Sequence, residues 1–228
     1  MSSNPNVSPV NPIPPVVLAL VIVIVGIELV FQMGARGFVG GPEAVGWRLS
    51  ALQRYAFSGD IMDWMLANNR WPMEHVIRLL SYLFVHVGFA HMLFVVVFLL
   101  ALGKMVGEIF HPLAVLVVFF GSALAGALAY GLILDDPMPL IGGYPAVYGL
   151  IGAYTFLLWV RLAATGENQM RAFLLIGLLM AVQLIFGLLF GGGNDWLADL
   201  AGFCAGFALS FVVSPGGWGR VMDKLRQR

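Results

Sequence analysis

The stretch LIGGYPAVYGLIGAY, residues 140–154, has the composition of a catalytic helix entrance without a nucleophile. Gly142 and Gly143 precede an apolar run, so the backbone can turn there and a helix can begin beside a substrate. The stretch contains no serine, threonine or cysteine, and Tyr144 follows the glycines. A tyrosine hydroxyl has a pKa of about 10 in water and attacks poorly unless a base activates it.

Other polar residues interrupt apolar runs elsewhere in the chain. A carboxylate within a membrane span costs about 2.5–3.5 kcal/mol and normally faces a partner or a wet cavity. We therefore expect Asp199 to be a structural strut that hydrogen-bonds Tyr144, His91 or water. Glu28 is a second carboxylate within an apolar run, and no motif indicates its partner. His86 and His91, within HVGFAH, are expected to be hydrogen-bonded structural histidines.

The composition places these residues in a membrane. Hydrophobic residues make up 60% of the 228, charged residues 11%, and the mean hydropathy is +0.91. Soluble proteins average about 45–50% apolar and about 25% charged residues. The net charge is zero and the basic residues form no stripe, which excludes a nucleic-acid partner. The only cysteine, Cys204, excludes an internal disulfide and is expected to pack in the bundle. No motif indicates a metal or a cofactor.

Six apolar runs approach the length of about 20 residues that a spanning helix needs. They predict an all-α membrane protein with six transmembrane helices, at residues 15–33, 77–102, 112–134, 144–160, 172–190 and 195–213. The predicted organisation is a disordered tail at residues 1–14, a membrane domain at residues 15–213 and a basic tail at residues 214–228. Tryptophans interleaved with charges at residues 34–74 predict short amphipathic helices at the membrane surface.

Lysine and arginine in the short loops predict the orientation. They follow the second, fourth and sixth runs, which places both termini in the cytoplasm and the Gly142 entrance outside. The compact chain fits a prokaryotic inner membrane.

Small residues at four-residue spacing predict close helix packing. The third run carries Gly121, Ala125 and Ala129, and the sixth carries Ala198, Gly202, Gly206 and Ser210. Ser122 and Ser210 are expected to bond backbone carbonyls.

Four motifs occur in a recognisable order: Ile77-Arg78, HVGFAH, GGYPAVYGLIGAY and WLADLAGFCAGF. Together they resemble the rhomboid family of intramembrane serine proteases. The resemblance implies a six-helix bundle in which the fourth helix supplies a serine from Gly-x-Ser-Gly and the sixth supplies a histidine base. A histidine and an asparagine on the second helix form the oxyanion pocket, and a Trp-Arg pair marks the first loop.

The flanks of these motifs match the family, but the chemical residues do not. Tyr144 takes the position of the serine, within Gly142, Gly143 and Pro145, and Asp199 takes that of the histidine. His91 keeps the pocket histidine, whereas the asparagine four residues later is Val95. The Trp-Arg pair is reduced to Ile77-Arg78.

Three losses argue against peptide hydrolysis. Proton transfer from a tyrosine to a carboxylate is uphill by about six pKa units. Val95 removes an oxyanion donor, which is typically worth about 10²–10³ in rate. Pro145 has no backbone N–H to donate beside the nucleophile position.

The sequence thus predicts a pseudoprotease with no catalytic residue. Inactive members of the rhomboid family bind membrane clients. The resemblance therefore implies that this chain binds membrane-protein or transmembrane-helix clients within the lipid bilayer, as an adaptor, chaperone or assembly factor. Two alternatives stay open: an active protease with a divergent site, and a permanent accessory subunit of a larger membrane complex.

Overall fold

The computed structural model describes residues 12–134, 136–190 and 193–216, without the side chains of residues 186–188 and 190. Six long helices lie within these ranges, and we number them α1 to α6: Pro15–Ala35, Phe89–Gly107, Pro112–Ile133, Tyr144–Thr165, Leu174–Phe190 and Trp196–Val213. Of these, α1, α2, α3, α4 and α6 are long and apolar enough to cross a membrane, whereas α5 has 17 residues. The predicted all-helical membrane fold is confirmed. Most of the two predicted tails lies outside the described residues.

Prolines and glycines set the ends of the helices. Pro15 and Pro112 open α1 and α3 at the first turn, where a backbone N–H has no partner inside the helix. Gly143 precedes α4, and Gly166 ends it in a left-handed conformation with φ 71°. The fourth helix therefore runs five residues beyond its predicted end.

The second span begins later than the sequence predicts. Residues 77–88 form a short helix, Arg78–Ser81, a 3₁₀ turn, Tyr82–Phe84, and an extended segment before α2. This segment bonds to the first loop instead of continuing the helix: Arg78 donates to the Ala56 carbonyl at 3.1 Å, and Ser81 donates to the Tyr55 carbonyl at 2.9 Å.

The first loop folds into the short helices that its composition predicts. They are Pro42–Gly46 (3₁₀), Trp47–Tyr55, Gly59–Asn68 and Met73–Val76. The loop also supplies the partner of Glu28, which the sequence left unidentified. Arg48 donates to both Glu28 carboxylate oxygens, at 2.7 and 2.8 Å, and to the His86 carbonyl at 2.8 Å. This ion pair fastens the loop to α1.

The core lies where α4 meets α6 and α3. A Cβ on Gly202 would strike the Pro145 backbone, and one on Gly206 would strike the Gly149 backbone. The glycines of α6 thus let two backbones touch, as the G-x-x-x-G spacing predicts. Ser210 donates to the Gly206 carbonyl at 2.7 Å, also as predicted.

Two side-chain predictions need correction, and the small-residue stripe of α3 packs closely only at one end. Gly121 contacts Leu209 of α6, but Gly121 and Ala125 are only partly buried, because α3 turns the neighbouring face with Ser122 and Gly126 toward α4. The Ser122 hydroxyl is buried without a hydrogen-bond partner among the described residues, instead of bonding a carbonyl. Cys204 is exposed rather than packed, because it lies on α6 away from the Gly202 face.

Candidate functional site

The entrance to α4 packs directly against α2. Gly142 has φ +91°, and a Cβ there would lie 2.5 Å from the His91 ring. A Cβ on Gly143 would lie 3.0 Å from Val95 Cγ1. Gly142 therefore requires glycine for its conformation and for close approach, and Gly143 leaves little room for a Cβ. The glycine pair and the two α2 positions singled out from the sequence meet at one point.

Backbone hydrogen bonds hold this entrance in place. Phe57 of the first loop pairs with Leu140 through two bonds, at 3.1 and 2.8 Å. The Gly142 N–H donates to the Tyr82 carbonyl at 2.9 Å, and the Tyr82 hydroxyl donates to the Ala123 carbonyl of α3 at 2.8 Å. The first loop and the segment at residues 77–88 together form the scaffold of the site.

Three rings contact one another in tilted or edge-to-face geometry at the mouth of the site. The centroids of His91 and Tyr144 lie 5.1 Å apart, and those of His86 and His91 lie 5.4 Å apart. Within the described chain, neither ring nitrogen of His86 has a hydrogen-bond partner, and His91 Nδ1 has none either. At these three nitrogens the expected hydrogen bonds are not formed, and ring contacts and burial hold the side chains instead.

Asp199 bonds to α5 rather than to the residues that the sequence suggested. Gln183 donates to Asp199 Oδ2 at 2.9 Å, and the Tyr148 hydroxyl donates to Gln183 Oε1 at 3.2 Å. No hydrogen bond joins Asp199 to Tyr144 or His91 in the described structure, so the predicted Tyr144 strut is wrong. Gln183 lies between α4 and α6 and takes that role.

These groups line a cavity of 520 Å³ between α2, α4, α5 and α6. Tyr144, Tyr148, Gln183, Asp195 and Asp199 provide its polar wall. Phe94 of α2 and Val182 of α5 form its apolar rim. A second cavity, of 210 Å³, includes His91 and shares Asp195.

The loops on either side of the second cavity are tied together. Asn194, which lines this cavity, donates to Asp136 Oδ2 at 2.7 Å. Bonds from Asn194 and from the Met138 N–H hold the pKa of the Asp136 carboxyl below its usual range, with the Met138 bond the larger cause.

A nucleophile must lie within hydrogen-bond reach of its base. Tyr144, at the aligned nucleophile position, contacts His91 ring to ring and shares no hydrogen bond with Asp199 in the described structure. Among the described residues, no group of three or more His, Cys, Asp or Glu could hold a metal ion. The arrangement offers two carboxylates and two tyrosine hydroxyls beside an apolar opening, which suits binding.

Gln183→Leu is expected to destabilise the protein by about 1–3 kcal/mol, because Asp199 loses its donor. Adding Asp199→Leu should recover much of that loss, with a coupling of about 0.5–3 kcal/mol in thermal or denaturant unfolding in detergent. Tyr144→Phe is the matched control, and its effect should add to that of Asp199→Leu. Coupling of Asp199 to Tyr144 rather than to Gln183 would contradict this network.

His86 is expected to make stability depend on pH. It lies outside the spanning helices, and burial, reinforced by His91, lowers the pKa of His86 to about 4 from 6.5. Between these values the unfolded chain binds the proton and the folded chain does not, so stability falls as pH falls. The total loss is roughly 3 kcal/mol by pH 4. His86→Phe should be near neutral at pH 7 and should flatten the curve between pH 6.5 and 4. Parallel unfolding curves for both proteins would contradict the assignment.

Comparison with known proteins decides the family. The family model described as "Rhomboid domain" matches residues 73–216, more than half of the chain. The chain belongs to the rhomboid family. The four aligned positions, Tyr144, Asp199, His91 and Val95, all lie within the matched range.

Curated rhomboid relatives cover part of the chain. "Putative rhomboid protease YdcA" of Bacillus subtilis is 29% identical over 153 residues, which are 64% of this chain and 69% of that protein. "RHOMBOID-like protein 4" of Arabidopsis thaliana is 29% identical over 60% of this chain and 34% of its own length. "Rhomboid-like protease 3" of Toxoplasma gondii is 32% identical over 58% of this chain and 49% of its own length. The chain thus spans half or less of the last two relatives.

Sequence reasoning missed Gln183, Tyr148 and Asp195 as site residues of this rhomboid. Gln183 had a signal: it is the one side chain with an amide or a charge in the apolar run at residues 172–190. Tyr148 lies within the entrance motif GGYPAVYGLIGAY.

Proposed function

We propose that this rhomboid-family chain is a pseudoprotease, which binds a transmembrane segment of a client membrane protein and leaves it uncleaved. It would serve as an adaptor, chaperone or assembly factor. One observation carries the proposal: Tyr144 and Asp199, at the nucleophile and base positions, line one cavity without a hydrogen bond between them. A general base must reach the proton that it abstracts.

The shape of the cavity supports binding. Its rim residues Phe94 and Val182 are 58% and 45% exposed. A transmembrane segment that lies in the bilayer can therefore contact the rim from the side, between α2 and α5. Bulky apolar side chains at the rim and polar groups behind it are typical of a specific pocket.

The proposed setting is a prokaryotic inner membrane with both termini in the cytoplasm. Lys104 lies near the end of α2, and Arg161 and Arg171 flank the loop between α4 and α5. Short loops with this bias normally face the cytoplasm. The entrance at Gly142 would then face the opposite side.

Site-specific photocrosslinking tests the proposal. The photoreactive residue benzoylphenylalanine is placed at position 182 in proteoliposomes that also contain a single-span model client. Position 117 on α3 is the matched control, because Val117 and Val182 are both 45% exposed. We expect an adduct of full-length client at position 182 that exceeds the yield at position 117 by roughly tenfold, which corresponds to about 1.4 kcal/mol of preference.

Each other outcome contradicts the proposal in its own way. Equal yields at both positions would show random collisions in the bilayer. Client fragments in place of full-length adduct would favour an active protease. A chain that purifies from native membranes only in a fixed stoichiometric complex, with position 182 covered by a subunit, would favour a permanent accessory subunit.

A further inference from the structure

Asp199 presents an unused acceptor to the 520 Å³ cavity. The residue is 3% exposed, and its Oδ2 accepts from Gln183 at 2.9 Å. Its other oxygen, Oδ1, has no hydrogen-bond partner in the part of the chain that the structure describes. Oδ1 is not fully buried, and because Asp199 lines the cavity, this oxygen faces the cavity.

No protein cation balances this carboxylate within the described residues. The ion pairs formed there involve Glu28, Glu108 and Glu167 instead. The described residues that line the cavity include no lysine or arginine, but they include a second carboxylate, Asp195. A carboxylate in a membrane interior normally pairs with an opposite charge or faces water.

We propose that the cavity receives a lysine or arginine side chain from the client's transmembrane segment. This inference rests on the proposed function and names the chemistry of the client. Asp195 and Asp199 are four residues apart, about 6 Å along α6, so both carboxylates lie on one face of the helix. Asp195 lies nearer the mouth of the cavity, and Asp199 lies deeper inside. Phe94 and Val182 at the rim can pack against the aliphatic stem, as long cationic side chains require.

The geometry also fixes the depth of the client's cation. Asp199 lies in the first turn of α6, at the end of the bundle that holds Gly142. The complementary lysine should therefore lie about one helical turn inside that membrane surface. A cation there gains a partner in the cavity, whereas one at the opposite end of the same segment gains nothing.

The test uses the crosslinker at position 182 with a series of model clients that differ at one site. Lysine, norleucine and glutamate are placed one turn inside the membrane surface at the Gly142 end, and a fourth client carries lysine at the opposite end. A charge-assisted hydrogen bond should raise the adduct yield of the first lysine client over norleucine by roughly tenfold. Glutamate and the displaced lysine should not exceed norleucine. Asp199→Asn should abolish the preference for the lysine client over the norleucine client.

The outcomes separate this inference from the proposed function. Equal yields for lysine and norleucine at position 182, both above position 117, would overturn the inference and leave client binding intact. Yields at the level of position 117 for every client would overturn both. Because the client series uses the chain with its native Asp199, it remains decisive if Asp199→Asn fails to fold.

Discussion

Gly206→Leu is expected to prevent stable folding of the bundle. The added side chain would strike the Gly149 backbone of α4, which cannot move aside as a side chain can. Overpacking of a core typically costs about 1–3 kcal/mol where side chains can adjust. We expect a larger loss here, a substantial part of a typical total stability of about 5–15 kcal/mol. Thermal unfolding in detergent, together with the yield of monodisperse protein, measures it.

Gly177→Leu on α5 is the matched control for this glycine. A Cβ there meets nothing within 4 Å. Leucine also gains about 1 kcal/mol of helix propensity over glycine at either site. The control should therefore unfold at or above the parent temperature. Similar unfolding of both variants would show that the α4 and α6 backbones do not touch at Gly206.

Arg48→Met should destabilise the protein by about 3–5 kcal/mol, because it leaves the Glu28 carboxylate buried without its cation. Glu28 is 2% exposed, and Arg48 reaches it from the first loop with a bidentate contact. Replacing both residues with methionine should recover most of the loss, since a packed apolar pair avoids the desolvation of two charges. Denaturant unfolding of the three variants gives the coupling energy.

Arg171→Met provides the surface comparison. Its ion pair with Glu167 is exposed, at 67% and 52% for the two side chains, and such pairs contribute about 0–1 kcal/mol. Equal losses for Arg48→Met and Arg171→Met would mean that the first loop is not fastened to α1 by this pair.

Local patterns made much of the site predictable. The pair Gly142 and Gly143 ahead of an apolar run predicted a tight helix entrance. In the structure this entrance packs against His91 and Val95. The Gly202 and Gly206 spacing identified the face of α6 that touches α4. Each of these predictions depended on residues within one or two helical turns.

Contacts between distant elements could not be read from the chain. Arg48 is one of several loop arginines, and only the fold of the first loop selects it for Glu28. Gln183 accepts from Tyr148 and donates to Asp199 because α5 lies beside both helices. The sequence suggested Tyr144 as the partner of Asp199 because the two residues align with the serine and histidine of the family. A serine and a histidine share a hydrogen bond in an active site, but Tyr144 and Asp199 do not share one in the described structure.

We propose that the rhomboid site has lost peptide hydrolysis. The direct test incubates the purified chain in proteoliposomes with a single-span rhomboid substrate and measures cleavage products by mass spectrometry. Beside it runs a variant with Tyr144→Ser, Pro145→Gly, Val95→Asn and Asp199→His, which restores the residues expected of an active site. We expect no product above the protein-free background from the parent, and detectable product from the restored variant. Site-specific product from the parent, lost on Tyr144→Phe, would contradict it.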